Sequence, residues 1–229
     1  IVTDSVLLDT AGPVNEAITA NGTGATIEYT PTTSVGLSLY ATDATSVYEM
    51  YIDGDVTGAG VKAWVAYNAA PTILLTSGDG LKTLTVKYRD QSLNESGVAQ
   101  DTITLDTTTP VNGGVTVNTI GLTNEYTPVA GIAISLNATD TNLYQMMIDG
   151  DVTGNGVKAW IAYSSEAAVE LTSGDGTKNV TIKFRDMALN ESGTVSDKVE
   201  LDTVLPVNNG VLIASVNGNV ASLNVDISM

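Results

Sequence analysis

The chain contains no cysteine and no histidine among its 229 residues. Without cysteine it forms no disulfide and offers no thiolate as nucleophile or metal ligand. Without histidine it lacks the commonest general base of enzymes and the commonest side-chain ligand of transition metals. Serine and threonine are plentiful, but no catalytic triad can be assembled around them. We therefore expect no enzymatic activity, whereas export from the cell stays open because many exported surface proteins lack cysteine.

Basic residues and long apolar runs are also scarce. Nine Lys and Arg stand against 26 Asp and Glu, which gives a formal net charge of −17. Such a surface repels nucleic acids and anionic membranes and attracts cations. No run of 18 or more apolar residues occurs, so we expect no membrane insertion. Asp is far commoner than Glu and lies mostly beside Gly, Thr or Asn, a composition typical of loops.

One stretch of the chain occurs twice. DGDVTGAGVKAWVAY begins at Asp53 and DGDVTGNGVKAWIAY at Asp149, with 13 of 15 positions identical at an offset of 96 residues. The same offset relates LTSGDGLK at Leu75 to LTSGDGTK at Leu171. A period as long as a small domain indicates an array of similar domains, and arrays favour a spacer, adhesive or lattice role over catalysis.

A second repeated phrase marks the junctions between the copies. LDTAGPVN begins at Leu8, LDTTTPVN at Leu105 and LDTVLPVN at Leu201. Each phrase follows an alternating run and contains a proline, which stiffens a linker. We interpret each junction as the last strand of one domain leading directly into the first strand of the next. The predicted segments are 1–9 (last strand of a preceding repeat), 10–107 (domain 1), 108–203 (domain 2) and 204–229 (first strands of a following repeat).

Within each copy the apolar residues recur with a period of two. Val35, Leu37 and Leu39 alternate with small or polar residues, which marks a half-buried strand. Helix caps followed by amphipathic runs are missing. The pattern therefore predicts an all-β fold of tandem immunoglobulin-like antiparallel β-sandwiches, about seven strands each. Strands are expected in domain 1 near 14–19, 26–30, 35–41, 46–52, 61–67, 72–76, 82–89 and 99–106.

Several of these phrases resemble the bacterial immunoglobulin-like (Big-type) domains of large cell-surface proteins and adhesins. The resemblance rests on the junction LDTTTPVN, on the strand end ATD at 41–43 and 138–140, and on the run TSGDGxKxxxxKYRDxxxNES. The turn 90–96 matches the family's D-x-A-G-N-x-S turn with Leu in place of Gly. The resemblance covers nearly the whole chain. It implies an extracellular, cell-surface stalk, surface-layer tile, filament or adhesin whose neighbouring domains bind calcium between them.

The immunoglobulin-like topology predicts where acidic residues meet. The second and sixth strands of such a sandwich both end at the pole where the chain enters the domain. Carboxylates gathered there repel one another unless a cation lies among them, and calcium takes six to eight oxygen ligands from Asp, Asn and carbonyl groups. Alternatively these are solvated turns in which Asp and Asn bond their own backbone. The expected calcium ligands are Asp9, Asp43, Asp90 and Asn94 for domain 1, and Asp106, Asp140, Asp186 and Asn190 for domain 2.

The repeated DGDVTG phrase is a second candidate calcium loop. Asp53, Asp55, Thr57 and Gly58 match four positions of an EF-hand loop, but the twelfth position is Trp64 instead of Glu and no helices flank the loop, so an EF-hand is excluded. A looser Asp-x-Asp calcium loop would use Asp53 and Asp55, and its copy Asp149 and Asp151. We favour a Gly-rich turn between two strands, near the acidic junction.

Two further features allow alternatives. Trp64 and Trp160 could stack on a sugar ring, although such a Trp more often packs on a core or covers a sheet edge. A Lys–Asn crosslink would need Lys87 or Lys183 to be buried, and both lie on the polar phase of their strands.

The two end segments admit two explanations. They are excerpts of a longer array, which we favour, or they pair with neighbouring chains by strand donation. The prediction from the sequence is a non-enzymatic structural or adhesive array whose joints bind calcium and whose partners are neighbouring copies or a cell-surface glycan. The alternatives are a sugar- or protein-binding module, or spacer domains of a secreted hydrolase.

Overall fold

The structure, a computed structural model, describes residues 4–154 and 156–207. Every regular element in these ranges is a β-strand, and the same strand order occurs twice. None of the described residues belongs to a helix that could span a membrane. Domain 1 contains β1 (Val14–Asn21), β2 (Tyr29–Thr30), β3 (Ser34–Thr42), β4 (Glu49–Gly54), β5 (Val56–Thr57), β6 (Trp64–Ala66), β7 (Thr72–Leu75), β8 (Gly80–Arg89) and β9 (Ala99–Leu105). Domain 2 contains β10 (Val111–Asn118), β11 (Tyr126–Thr127), β12 (Gly131–Thr139), β13 (Leu143–Gly150), β14 (Val152–Thr153), β15 (Trp160–Ala162), β16 (Glu166–Leu171), β17 (Gly176–Asp186) and β18 (Val195–Leu201).

Each domain is a sandwich of two sheets. In domain 1 a four-stranded sheet has the order β1-β3-β7-β5 and a five-stranded sheet the order β2-β9-β8-β4-β6. Domain 2 repeats both orders as β10-β12-β16-β14 and β11-β18-β17-β13-β15. Side chains of both sheets meet in one apolar core per domain; in domain 1 this core includes Leu37 from one sheet and Leu84 from the other. The prediction of an immunoglobulin-like β-sandwich array is confirmed.

Side chains along each strand alternate between the core and the outer face, as the sequence pattern predicted. Val35, Leu37 and Leu39 on β3 are at most 5% exposed, whereas the residues between them face outward. On β8, Leu84, Val86 and Tyr88 are at most 1% exposed and complete the opposite wall of the core. Burying apolar side chains on one face of each strand is the main stabilising term of a two-layer sandwich.

The topology departs from the prediction in three details. Each domain has nine strands because several are only two or three residues long, and the short β2 runs parallel to β9, so the sandwich is not wholly antiparallel. The DGDVTG phrase is also not a simple turn. After β4 the chain turns at Gly54 (φ 104°) and continues as β5 in the other sheet, where Val56 pairs with Leu75. The phrase is therefore the crossing from one sheet to the other.

The junction between the domains is short. β9 ends at Leu105 and β10 begins at Val111, and Pro110 between them is buried. Residues 4–13 form no strand, and no strand occurs in 204–207. The strands predicted for the rest of 204–229 lie outside the described residues. The predicted domain boundaries and the assignment of the two end segments to further repeats stay predictions.

The turn after β8 holds a leucine in a conformation that favours glycine. Leu93 has a φ of 67° and its repeat counterpart Leu189 a φ of 68°. The left-handed conformation costs an L-residue roughly 1–2 kcal/mol because its Cβ approaches the carbonyl oxygen. The turn is kept because Asn94 and Asp90 bond each other: the Asn94 N–H donates to Asp90 Oδ1 at 2.9 Å.

We expect Leu93→Gly to stabilise domain 1. Leu93 is 59% exposed, so little packing is lost, and the relief of the left-handed backbone exceeds the entropy cost of glycine by up to about 1 kcal/mol. The control is Leu81→Gly, since Leu81 is 66% exposed on a regular strand, where glycine destabilises by roughly 0.5–1 kcal/mol. Thermal and urea unfolding measure both variants. A lower stability of Leu93→Gly would show that the turn is not strained.

Candidate metal centres at the domain joint

The structure brings three carboxylates together at the entry pole of domain 1, the end where β3 and β8 finish. Asp43 follows β3, Asp90 follows β8, and Asp9 approaches from the chain before β1. One carboxylate oxygen of each lies within 4.8 Å of the others. Asp90 is fully buried, while Asp9 and Asp43 are partly exposed. The convergence expected from the topology is present.

The same arrangement recurs at the entry pole of domain 2, which is the joint between the domains. Asp106 follows β9, Asp140 follows β12, and Asp186 is the last residue of β17. Their carboxylate oxygens also lie within 4.8 Å of one another, and Asp106 and Asp186 are 6% and 0% exposed. Three carboxylates gathered in a partly buried place repel one another strongly, and a divalent cation is the group that would compensate them.

The two asparagines predicted as ligands tie the joint backbone to the triads. The Asn94 amide nitrogen donates to Asp90 Oδ2 at 2.8 Å and to the Asp9 carbonyl at 3.0 Å. The Asn190 amide nitrogen donates to Asp186 Oδ2 and to the Asp106 carbonyl, both at 2.8 Å. Each asparagine therefore joins the turn after β8 or β17 to the incoming chain, and only its amide oxygen is left as a potential cation ligand.

The two triads differ in their electrostatics. In domain 1 the Thr45 hydroxyl lies 2.7 Å from Asp43 Oδ1 and 2.8 Å from Asp9 Oδ2, and its hydrogen bond, together with backbone N–H groups, lowers the pKa of Asp43. The position of Thr45 is Asn142 in domain 2. There, burial is the main cause that raises the pKa of Asp140, and the charge of Asp106 adds to it.

Asp186 shows the same effect within the second triad. Burial raises its pKa first, the charges of Asp106 and Asp140 raise it further, and the hydrogen bonds from Asn190 oppose the rise. The ionised form of this triad is therefore less well compensated by protein groups than the triad of domain 1.

A second set of hydrogen bonds lies at the joint, on the exit pole of domain 1, which is the end opposite its triad. Asp79, in the SGDG turn before β8, accepts hydrogen bonds from the Thr107 N–H at 3.0 Å and the Thr107 hydroxyl at 2.8 Å. Its other oxygen accepts the Thr108 hydroxyl at 2.7 Å. We call these contacts the Asp79 latch. The hydrogen bond from Thr108 is the first cause of the lowered pKa of Asp79.

A buried lysine side chain stabilises the SGDG turn. Lys82 is 8% exposed, and its ammonium group donates to Thr76 Oγ1 at 3.4 Å and to the Ser77 carbonyl at 3.3 Å. Lys178 repeats these contacts in domain 2. Because these oxygens belong to the turn, the lysine fixes the position of the latch aspartate.

A backbone contact joins the domains beside the second triad. The Ala25 N–H, in the loop between β1 and β2, donates to the Met187 carbonyl at 2.8 Å. At Gly24 a Cβ atom would lie 2.5 Å from that carbonyl oxygen, so only glycine fits this approach. A cleft of about 820 Å³ remains between the domains. Its polar lining includes Asp79, Asp106, Thr108, Asp140, Thr141 and Asn142.

The DGDVTG aspartates do not join either triad. Asp55 Oδ2 accepts the Thr83 N–H at 2.9 Å, and its copy Asp151 Oδ2 accepts the Asn179 N–H at 3.0 Å. Asp53 Oδ1 accepts the Gly54 N–H at 2.7 Å, and Asp149 makes the same bond to Gly150 at 2.6 Å. In the described part of the chain, groups of three or more acidic residues that could hold a metal occur only at the two entry poles.

The tryptophans lie on strands at the edge of the five-stranded sheets. Trp64 on β6 and Trp160 on β15 are both half-buried. The guanidinium carbon of Arg89 lies 4.5 Å from the ring centroid of Trp64, and that of Arg185 lies 4.4 Å from Trp160. The lysines considered for a crosslink instead form ion pairs on the surface, with Lys87 3.3 Å from Glu95.

No protein-family model and no curated protein sequence matches this chain. Solved structures resemble it at the level of the fold. Fibronectin(III)-like modules of Clostridium thermocellum CbhA are 11% identical over 84% of this chain and 98% of that chain, with a TM-score of 0.48. The D00-D0 domain of intimin is 14% identical over 81% and 99%, with a TM-score of 0.32. Likeness at this level says nothing about the function of this chain.

Removing one charge from each triad is expected to have opposite effects in the two domains. In excess chelator at pH 7, Asp140→Asn stabilises domain 2, since an acid with a raised pKa costs stability above that pKa. This gain in the free energy of unfolding disappears as the pH falls through the pKa of Asp140 in the folded state. Asp43→Asn destabilises domain 1, because an acid with a lowered pKa contributes stability at neutral pH that is lost in acid. Hydrogen exchange resolved by domain measures both, and equal signs would contradict the assignment.

Breaking the Asp79 latch is expected to loosen the joint without unfolding either domain. Because the chain lacks cysteine, spin labels can be placed uniquely at Gln100→Cys and Ser196→Cys, two exposed and equivalent positions. In this background Asp79→Ala should broaden the distance distribution between the labels. Asp175→Ala is the matched control, since Asp175 makes the same bonds to Thr203 outside the joint. An unchanged distribution for Asp79→Ala would rule out the latch as a constraint on the joint.

Proposed function

We propose that this chain is a non-enzymatic part of an extracellular array of immunoglobulin-like domains, of the Big type, that extends from a cell surface. The observation that carries the proposal is the joint itself. It is only five residues long, from Asp106 to Pro110, and its first residue enters an acidic triad built by the next domain. A chain selected for catalysis has no need of this construction, whereas an extender must fix the angle between its domains.

In this proposal calcium occupies both triads. Calcium prefers oxygen ligands in flexible geometry, and each triad offers carboxylates from three separate segments of chain. A cation bound there would link the incoming chain to the ends of β3 and β8 in domain 1, and to the ends of β12 and β17 in domain 2. Asp9, Asp43 and Asp90 would hold it in domain 1, and Asp106, Asp140 and Asp186 in domain 2. The Asn94 and Asn190 amide oxygens would complete each site.

Other roles stay as alternatives to be separated by experiment. The same rigid array would serve as a stalk of an adhesin, a tile of a surface layer, a filament, or a spacer within a secreted hydrolase. Its partners are then neighbouring copies of the domain. The two DGDVTG loops take no part in this proposal, since their carboxylates accept hydrogen bonds from the backbone.

The test is thermal unfolding and small-angle scattering of the whole chain in millimolar calcium and then in excess chelator. A ligand that binds only the folded state stabilises it by about 3–4 kcal/mol at 100 to 1,000 times its dissociation constant. We expect calcium to raise the melting temperature and to narrow the range of molecular dimensions. Magnesium should act more weakly, because it demands stricter geometry and gives up its water reluctantly.

Matched variants make the test specific. Asp140→Asn should abolish the calcium response of domain 2 and leave that of domain 1, and Asp43→Asn should do the reverse. Asp55→Asn, outside both triads, should respond as the unaltered chain does. If neither melting nor dimensions change with calcium, the triads are solvated turns, and the joint is held only by hydrogen bonds: the Asp79 latch, the Asn190–Asp106 bond and the Ala25–Met187 contact.

A further inference from the structure

A cleft lies on the outer face of the five-stranded sheet of domain 1, and its lining contains no carboxylate of the acidic triads. Its volume is about 410 Å³, within the range of about 300–1,000 Å³ common for small-ligand sites. The side chains alternate with the buried residues of β4 and β8, so they point away from the core. The cleft is lined by Tyr51, Asp53, Trp64, Thr85, Lys87 and Glu95, among others.

Two aromatic rings form the apolar part of this cleft. The ring centroids of Tyr51 and Trp64 are 5.5 Å apart and their planes make an angle of 57°. The Trp64 ring is held by the Arg89 guanidinium, which also pairs with Glu49. A fixed aromatic surface of this kind packs against the apolar C–H groups of a sugar ring, with little loss of side-chain entropy.

The rim of the cleft supplies hydrogen-bond donors and acceptors with balanced charge. Glu95 pairs with Lys87 at 3.3 Å, and Asp53 lies 3.9 Å from the ammonium group of Lys62. Thr85 adds a hydroxyl that both donates and accepts. Groups of both kinds suit the hydroxyls of a sugar, and the local balance of charge favours a neutral ligand over an ion.

The second repeat lacks the second aromatic ring. Its equivalent face keeps Asp149, Thr181 and Lys183, but Met147 stands where domain 1 has Tyr51, and Thr194 where it has Val98. The cleft there measures only about 70 Å³ and Trp160 does not line it. The chain thus contains the same scaffold with and without the second aromatic ring.

We propose that the Tyr51–Trp64 cleft is a binding site for a neutral hexose unit of a glycan, present in domain 1 and missing in domain 2. The site is independent of the calcium joints and would give the extender one glycan contact per pair of domains. Tyr51 provides the second ring surface, and Asp53, Lys87 and Glu95 bond the sugar hydroxyls.

The test is calorimetric titration of the whole chain with cellohexaose, mannohexaose and N-acetylchitohexaose in turn, each to millimolar concentration. We expect at least one of them to bind with a stoichiometry of one per chain. Tyr51→Met, which copies the natural residue of domain 2, should weaken that binding at least about tenfold, whereas Tyr51→Phe should retain it. Trp160→Ala should change neither affinity nor stoichiometry.

Several results would overturn the proposal. They are the failure of all three oligosaccharides to bind, binding that Tyr51→Met leaves intact, and a stoichiometry of two. Because methionine occupies the equivalent place in domain 2, Tyr51→Met is compatible with the fold, and an unchanged melting temperature verifies this. The titration in excess chelator separates this site from the calcium joints, since a sugar bound to this cleft does not need them.

Discussion

The joint depends on a carboxylate taken almost completely out of water. Asp186 ends β17, is fully buried, and receives two hydrogen bonds from Asn190. A buried charge must be compensated, and here the compensating side chain also bonds the carbonyl of Asp106, the first residue of the linker. The stabilisation of this buried charge therefore depends on the position of the incoming chain. If the linker moves away, the Asn190 amide loses a partner and the carboxylate loses its order.

The two repeats show how one scaffold is adjusted by a few side chains. Thr45 lies between two carboxylates of the first triad, whereas Asn142 in the second bonds Asp106 at 3.3 Å and leaves more repulsion. At the exit poles, Asp79 bonds both Thr107 and Thr108, but Val204 replaces the second threonine in the next copy. The core strands keep their apolar alternation in both copies, so the differences between the joints come from residues at the strand ends. Rigidity can therefore be set joint by joint without changing the domain fold.

The period of two and the fixed repeat were enough to predict the sandwich, because half-buried strands need that alternation. The convergence of Asp43 and Asp90 could also be predicted. They follow β3 and β8, which correspond to the second and sixth strands of the predicted seven-strand sandwich and end at the same pole. The sheet crossing at Gly54 was missed because a two-residue strand leaves no periodic signal. The latch was also missed, because the bonds of Asp79 to Thr107 and Thr108 depend on tertiary geometry. The cleft was missed as well. The exchange of Tyr51 for Met147 becomes visible only when the two repeats are aligned residue by residue.

The contacts at the joint act on different sides of the linker, and this decides what they can do together. Asn190 and Asn142 hold Asp106 to domain 2, while the Asp79 latch holds the next two residues, Thr107 and Thr108, to domain 1. One attachment alone would leave the linker free to pivot about it. Two attachments on adjacent residues, with buried Pro110 fixing φ beyond them, leave few backbone dihedrals to vary. These hydrogen bonds restrict the angle between the domains without a cation, and a cation in the triad, as proposed, would strengthen one of the two attachments.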